Sequence, residues 1–115
     1  MERVIADLFF LKNSMHIFHW QTRSFAKHSA ADFFNDNFSK ILDSMVESYL
    51  GRGKKLSFPS SVSIPLTNVN ESMILSLLES SCNLLESSHF EEDVNNIKEE
   101  LISLINQTRY KLSLS

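Results

Sequence analysis

The sequence predicts an all-α fold, a four-helix bundle in which one connection is much longer than the others. Both glycines and both prolines lie within residues 51–65, so the rest of the chain forms two long segments without helix breakers. In each segment apolar residues recur at steps of three and four, which is the pattern of amphipathic helices. Each segment is long enough for two helices joined by a short turn.

The first segment predicts helix α1 at about residues 3–21 and helix α2 at about residues 25–51. The apolar stripe of α1 consists of Val4, Leu8, Leu11, Met15 and Phe18. The stripe of α2 consists of Phe34, Phe38, Ile41, Met45 and Tyr49. Ser24 is the expected N-cap of α2, and Gly51 and Gly53 supply a stop at its C-terminal end.

The second segment predicts helix α3 at about residues 69–86 and helix α4 at about residues 89–113. Asn68 with Glu71, and Ser88 with Glu91, have the spacing of capping boxes at the two helix starts. Short turns on either side of a linker of about 15 residues match ferritin-like bundles, which have one long crossover. A length of 115 residues fits a single domain that spans the whole chain, residues 1–115.

Composition excludes several classes of function. The net charge is −3, and the only basic cluster is Arg52, Lys54 and Lys55, so nucleic acid is not expected as a partner. The one cysteine cannot form an intrachain disulfide, and no stretch resembles a secretory leader or a membrane span, so a cytoplasmic protein is expected. Glycine-rich phosphate loops, serine nucleophile elbows and Cys/His zinc spacings are missing from the sequence, which leaves hydrolase and nucleotide-dependent activities without support.

The polar residues of α2 fall into two pairs at helical spacing. His28 and Asp32 are four residues apart near the start of the helix, and Asp43 and Glu47 are four apart further along. The eleven residues from Asp32 to Asp43 are three turns to within about 20° of rotation, so both pairs share one face. Along the helix axis, however, the pairs are about 16 Å apart. They cannot bind the same ion.

His19 lies near the end of α1, and a short turn would bring it beside His28 and Asp32. Each chain therefore carries two half-sites. If two chains packed with their α2 helices antiparallel about a two-fold axis, the histidine end of one chain would meet Asp43 and Glu47 of the other. A site of nitrogen and carboxylate ligands would then form twice per homodimer. The alternative is that these residues are only the solvated face of an amphipathic helix.

The order of these residues resembles the ferroxidase motif of Dps-type mini-ferritins. His19-Trp20 is followed by His28, by Asp32 four residues later, by Asp43 eleven later and by Glu47 four later. The resemblance implies that His19, His28 and Asp32 come from one subunit, and Asp43 and Glu47 from its two-fold mate. It covers about residues 8–50. The compact chain is also similar to ferritin-like proteins encoded by phages and other large DNA viruses.

The resemblance implies oxidation of Fe(II) by peroxide or dioxygen at these five residues. It also implies self-association, as a two-fold dimer or as a larger shell. The same ligand types accept zinc or manganese, so iron is expected from the family alone. The alternative from another class is a non-enzymatic helical protein, a structural or assembly component that keeps the bundle for packing.

Other residues with chemical side chains have weaker cases. His16 could orient a ligand carboxylate or be a surface histidine, and Asp36 could line an iron entry path or be a solvated side chain. Trp20 could pack at the dimer interface, and the resemblance implies that it could quench oxidant. Glu86 and His89 have the E-x-x-H spacing of di-iron bundles, but there is one copy and it straddles the expected α3–α4 turn. Cys82 is expected to be a buried small hydrophobe.

Overall fold

The computed structural model describes residues 1–61 and 63–114 and consists of four α-helices. Helix α1 spans Glu2–Gln21, α2 spans Phe25–Gly51, α3 spans Glu71–Ser87 and α4 spans Glu92–Leu112. The all-α class and the number of helices are therefore confirmed. None of the described helices combines the length and the apolar character that a membrane span requires.

The helices form a bundle with α1 and α4 on one diagonal. Helix α1 packs against α2 and α3, and α4 packs against the same two helices, most extensively against α2. Because α2 and α3 occupy the other diagonal, the long α2–α3 connection crosses the bundle from corner to corner. This is the single-crossover connectivity that the sequence predicts.

The core is the sum of the four apolar stripes. All five stripe residues of α1 are buried, and Phe34, Phe38 and Met45 of α2 are fully buried against them. Ile41 and Tyr49 of α2 are partly buried at the edge of the core. The other two helices contribute a similar set of buried residues, which includes Ile74, Leu78, Leu85, Val94, Leu101, Leu104, Thr108 and Leu112.

The predicted helix starts are right for α2 and wrong for α3 and α4. The Ser24 hydroxyl accepts a hydrogen bond from the Lys27 amide at 3.3 Å, as an N-cap does. Helix α3 begins two residues later than predicted, with Asn70 rather than Asn68 as its N-cap, since Asn70 Oδ1 accepts from the Met73 amide. Helix α4 begins only at Glu92, and its N-cap residue Glu91 makes no side-chain capping bond.

Ser88 does not cap α4, because it belongs to the end of α3. Its hydroxyl donates to the Leu84 carbonyl at 2.7 Å, and its own carbonyl accepts from the Lys98 ammonium at 2.7 Å. Lys98 is 4% exposed. The buried lysine therefore satisfies a carbonyl at the C-terminal end of α3, where a positive charge is favoured by the helix dipole.

Candidate metal centre

The turn between α1 and α2 brings two histidines together. Only residues 22–24 separate the helices, so the last turn of α1 faces the first turn of α2. Thr22 has an extended backbone conformation with ψ 144°, which ends α1, and Ser24 begins α2 as its N-cap. His19 and His28, nine residues apart in sequence, consequently lie side by side at one end of the bundle.

The two histidines exchange hydrogen bonds with each other's backbone. His19 Nδ1 lies 3.2 Å from the His28 carbonyl oxygen, and His28 Nδ1 lies 2.8 Å from the His19 carbonyl oxygen. Because a carbonyl oxygen can only accept, Nδ1 of each ring must carry the hydrogen. In the neutral rings this leaves both Nε2 atoms with a free lone pair. The imidazoles are stacked with their centroids 3.8 Å apart and their planes 20° from parallel.

Asp32 completes a group of three possible metal ligands. Its carboxylate oxygen Oδ1 lies 3.3 Å from His19 Nε2. One ligand atom from each of His19, His28 and Asp32 lies within 4.8 Å of the other two. The His19 side chain is 13% exposed and the Asp32 side chain 54% exposed, so the histidines are held by the protein while the carboxylate faces solvent. Two imidazoles and one carboxylate suit a divalent first-row metal and leave coordination positions open.

The contact between His19 and Asp32 gives an electrostatic reason for a cation to bind at this group. With Nδ1 of His19 protonated, its Nε2 lone pair points towards an anionic carboxylate, and two acceptors at 3.3 Å repel each other. A metal ion bound by the two atoms would relieve this repulsion. Hydrogen bonding of the outer ring nitrogen to a carbonyl is also how metal-binding histidines are usually oriented.

The other predicted ligands are not part of this group. Within the described residues, His19, His28 and Asp32 are the only three metal-ligating side chains close enough to share an ion. Asp43 and Glu47 are exposed further along α2, as the helical spacing predicts. Asp36, between the two pairs, is also exposed. The structure thus brings together three of the five predicted ligands, and Asp43 and Glu47 lie elsewhere on α2.

Aromatic side chains surround the histidine pair. The Trp20 ring lies 4.5 Å from the ring of His16, which in turn lies 6.1 Å from that of His19. On the other side, the Phe25 ring lies 6.3 Å from that of His28. Trp20 is 67% exposed and Phe25 83% exposed, although both are large and apolar. Their exposure leaves an apolar surface beside the half-site.

Several residues that hold the turn carry no signal in the sequence pattern. The side-chain amide of Gln21 accepts a hydrogen bond from the Val69 amide at 2.8 Å and donates to Asn68 Oδ1 at 2.9 Å. Lys27 forms an ion pair with Glu71. These partners are more than forty residues apart in sequence. Helical spacing could not have identified them, because their geometry depends on where the long connection ends.

The E-x-x-H pair does not form a metal group. Glu86 Oε1 accepts from the Cys82 thiol at 3.5 Å, while His89 lies in the turn after α3. Cys82 is buried, as predicted. Burial raises the pKa of the Cys82 thiol, and the hydrogen bond to Glu86 raises it further. This cysteine is therefore held as a neutral thiol, which is a poor nucleophile and a poor metal ligand.

Comparison with known protein families gives a match. Residues 19–112 match a family described as "Family of unknown function (DUF5856)". The match begins at His19 and covers most of the chain, including every predicted ligand. No curated protein and no solved structure matches the chain.

Proposed function

The chain belongs to the DUF5856 family, and we propose that it is an iron-binding protein that oxidises Fe(II) in the manner of a Dps-type ferroxidase. The observation that carries the proposal is the reciprocal pair of hydrogen bonds between His19 and His28. Those bonds fix both rings with Nε2 free, and His19 Nε2 lies beside the Asp32 carboxylate. Metal-binding histidines are usually oriented in this way, by a hydrogen bond from the outer ring nitrogen to a carbonyl or carboxylate oxygen.

The proposed ligands suit the chemistry of iron. Imidazole nitrogens bind Fe(II), and carboxylates favour the harder Fe(III) product, so a mixed set supports the change of oxidation state. Fe(II) is the substrate and gives up one electron per ion, so two Fe(II) ions reduce one peroxide to water, and four reduce one dioxygen to water. The role of His19 and His28 is to hold the ion, and that of Asp32 is to neutralise its charge. Zinc and manganese are competing ions for the same ligands.

A second chain is proposed to supply the remaining ligands. Asp43 and Glu47 are exposed and about three turns from Asp32 on the same face of α2, so an antiparallel partner would place its pair over the histidine end. The exposed rings of Trp20 and Phe25 flank the half-site, and burial in a dimer would remove this apolar surface from water. The proposed setting is the cytoplasm, in keeping with a chain that has one cysteine.

The test is Fe(II) oxidation by protein purified without metal. His19→Ala removes a histidine ligand, and Asp43→Asn removes the charge of the distant carboxylate with little change of shape. Both variants are expected to lose Fe(II) oxidation above the uncatalysed rate while keeping their helical content. His89→Ala is the matched control, since His89 is an exposed histidine outside the proposed site. Full oxidation by His19→Ala and Asp43→Asn would refute the proposal and favour the non-enzymatic helical protein.

A further inference from the structure

The end of the α2–α3 connection is fastened to the turn that carries the histidines. Gln21 is the last residue of α1 and stands two positions after His19. Its carboxamide oxygen accepts from the Val69 amide, and its nitrogen donates to Asn68. Val69 is 5% exposed, so this hydrogen bond is attached to a side chain that is anchored in the core.

A second contact between the connection and the turn, an ion pair, lies on the other side of the histidine pair. Lys27 precedes His28, and its ammonium pairs with Glu71, the first residue of α3. The Lys27 side chain is 24% exposed, so the pair is partly shielded from water. The segment from Asn68 to Glu71 therefore contacts both helices of the turn, one beside each histidine. The segment from Asn68 to Glu71 thus holds the backbone that carries the His19 and His28 carbonyls.

We infer that Gln21 is a positioning residue for the His19, His28 and Asp32 half-site, and that metal binding and docking of residues 68–71 are energetically coupled. The inference rests on the proposed function. The reciprocal bonds need the His19 and His28 carbonyls to keep their separation, because each ring donates to the other residue's backbone. When Gln21 loses its hold on Val69, the C-terminal turn of α1 is free to fray and the two rings lose their common orientation.

The first experiment measures binding of Co²⁺, an air-stable probe that takes the same ligands as Fe(II). Gln21→Ala is expected to weaken Co²⁺ binding about tenfold, the lower end of the range for direct partners of metal ligands, because Gln21 acts through the turn and contacts no ligand itself. Gln21→Glu should restore most of the affinity, because a carboxylate oxygen still accepts from the Val69 amide. Asn68→Ala removes only the exposed hydrogen bond from Gln21 Nε2 to Asn68 Oδ1, so it is expected to have a smaller effect.

The controls separate positioning from general loss of stability. Ser81→Ala removes the hydrogen bond from the Ser81 hydroxyl to Asp7, which joins α3 to α1 away from the turn. Gln107→Ala removes an exposed glutamine from α4, where its amide nitrogen donates to the Ser103 hydroxyl. Both variants should bind Co²⁺ as the parent protein does. If Ser81→Ala weakens binding as much as Gln21→Ala, the positioning role is overturned.

The second experiment uses the reciprocity of coupled equilibria. If the docked segment raises metal affinity about tenfold, metal saturation must favour docking by the same factor. The Val69 amide should then exchange with solvent about ten times more slowly in the presence of Co²⁺. Exchange of this amide that is unchanged at saturation would overturn the coupling.

The outcomes distinguish the two proposals. Failure of the parent protein to bind Co²⁺ contradicts the proposed function and this inference together. Tight binding that is unaffected by Gln21→Ala contradicts only the positioning role and leaves the proposed function standing.

Discussion

The histidine pair makes a quantitative prediction for a double-mutant cycle. His19→Ala, His28→Ala and the double variant are compared in their free energies of unfolding. Each ring donates to a backbone carbonyl, so deleting one ring leaves the other ring's hydrogen bond in place. Each single substitution should cost about 1 kcal/mol for its own hydrogen bond. The ring stack adds about 0.5–1.5 kcal/mol to either substitution, since either one removes it.

The metal-free coupling energy therefore reports the stack alone. The sum of the two single costs counts the stack twice, whereas the double variant loses it once. The sum should therefore exceed the cost of the double variant by one stacking energy, about 0.5–1.5 kcal/mol. A metal changes this number. At a free Co²⁺ concentration about 100 times the dissociation constant, binding stabilises the parent protein by about 2.7 kcal/mol. Either substitution removes that stabilisation, and the double variant loses it only once.

The coupling energy is therefore expected to rise by about 2.7 kcal/mol when Co²⁺ is added. Urea denaturation followed by circular dichroism measures all four proteins, with and without Co²⁺, and the cycle with His16→Ala and His89→Ala serves as the control. A coupling energy between His19 and His28 that is the same with and without metal would refute the claim that the two rings bind one ion.

Three further predictions concern residues outside the site. Lys98→Met keeps an apolar stem but leaves the partly buried Ser88 carbonyl without its donor, so chemical denaturation should show a loss of about 1–3 kcal/mol. An unchanged stability would show that water replaces the ammonium. The Arg52 guanidinium donates a hydrogen bond to the Asp93 carboxylate and lowers the pKa of that carboxyl. The hydrogen bond therefore stabilises the fold above the ordinary aspartate pKa, and this stabilisation is lost as the pH falls through the lowered value. Arg52→Ala should raise that pKa in an NMR titration, and a stability difference that persists in strong acid would contradict the assignment. Burial and a raised pKa should make Cys82 react much more slowly with iodoacetamide in the folded protein than in urea, and equal rates would mean that the thiol is accessible.

The helices could be predicted from the sequence because their signals are local. Apolar spacing predicted the buried stripes of α1 and α2, and Ser24 marked the start of α2 correctly. The start of α3 was misplaced because Asn68 and Asn70 are equally good caps by residue type. Asn68 is bound by Gln21, and Glu71 is paired with Lys27, so neither is available for a capping box. The start of α3 therefore depends on tertiary partners, which spacing within the segment does not reveal.

The candidate site, too, could be predicted where its signals are local and not where they depend on tertiary structure. The approach of His19 to His28 and Asp32 followed from a short turn and a four-residue step, and the structure shows these three side chains together. The hydrogen bonds to opposite carbonyls could not be predicted, because they depend on the angle between the two helix ends. The support from Gln21 and Lys27 depends on the path of the long connection, which has no periodic pattern to interpret.

The central claim is that each site takes ligands from two chains, and subunit complementation tests it most directly. His19→Ala and Asp43→Asn chains with different affinity tags are coexpressed, and the mixed dimer is purified through both tags. One of its two sites joins intact histidines to intact carboxylates, and the other carries both substitutions. We predict that both parental homodimers are inactive in Fe(II) oxidation and that the mixed dimer has about half of the wild-type activity. A mixed dimer as inactive as its parents would contradict the account.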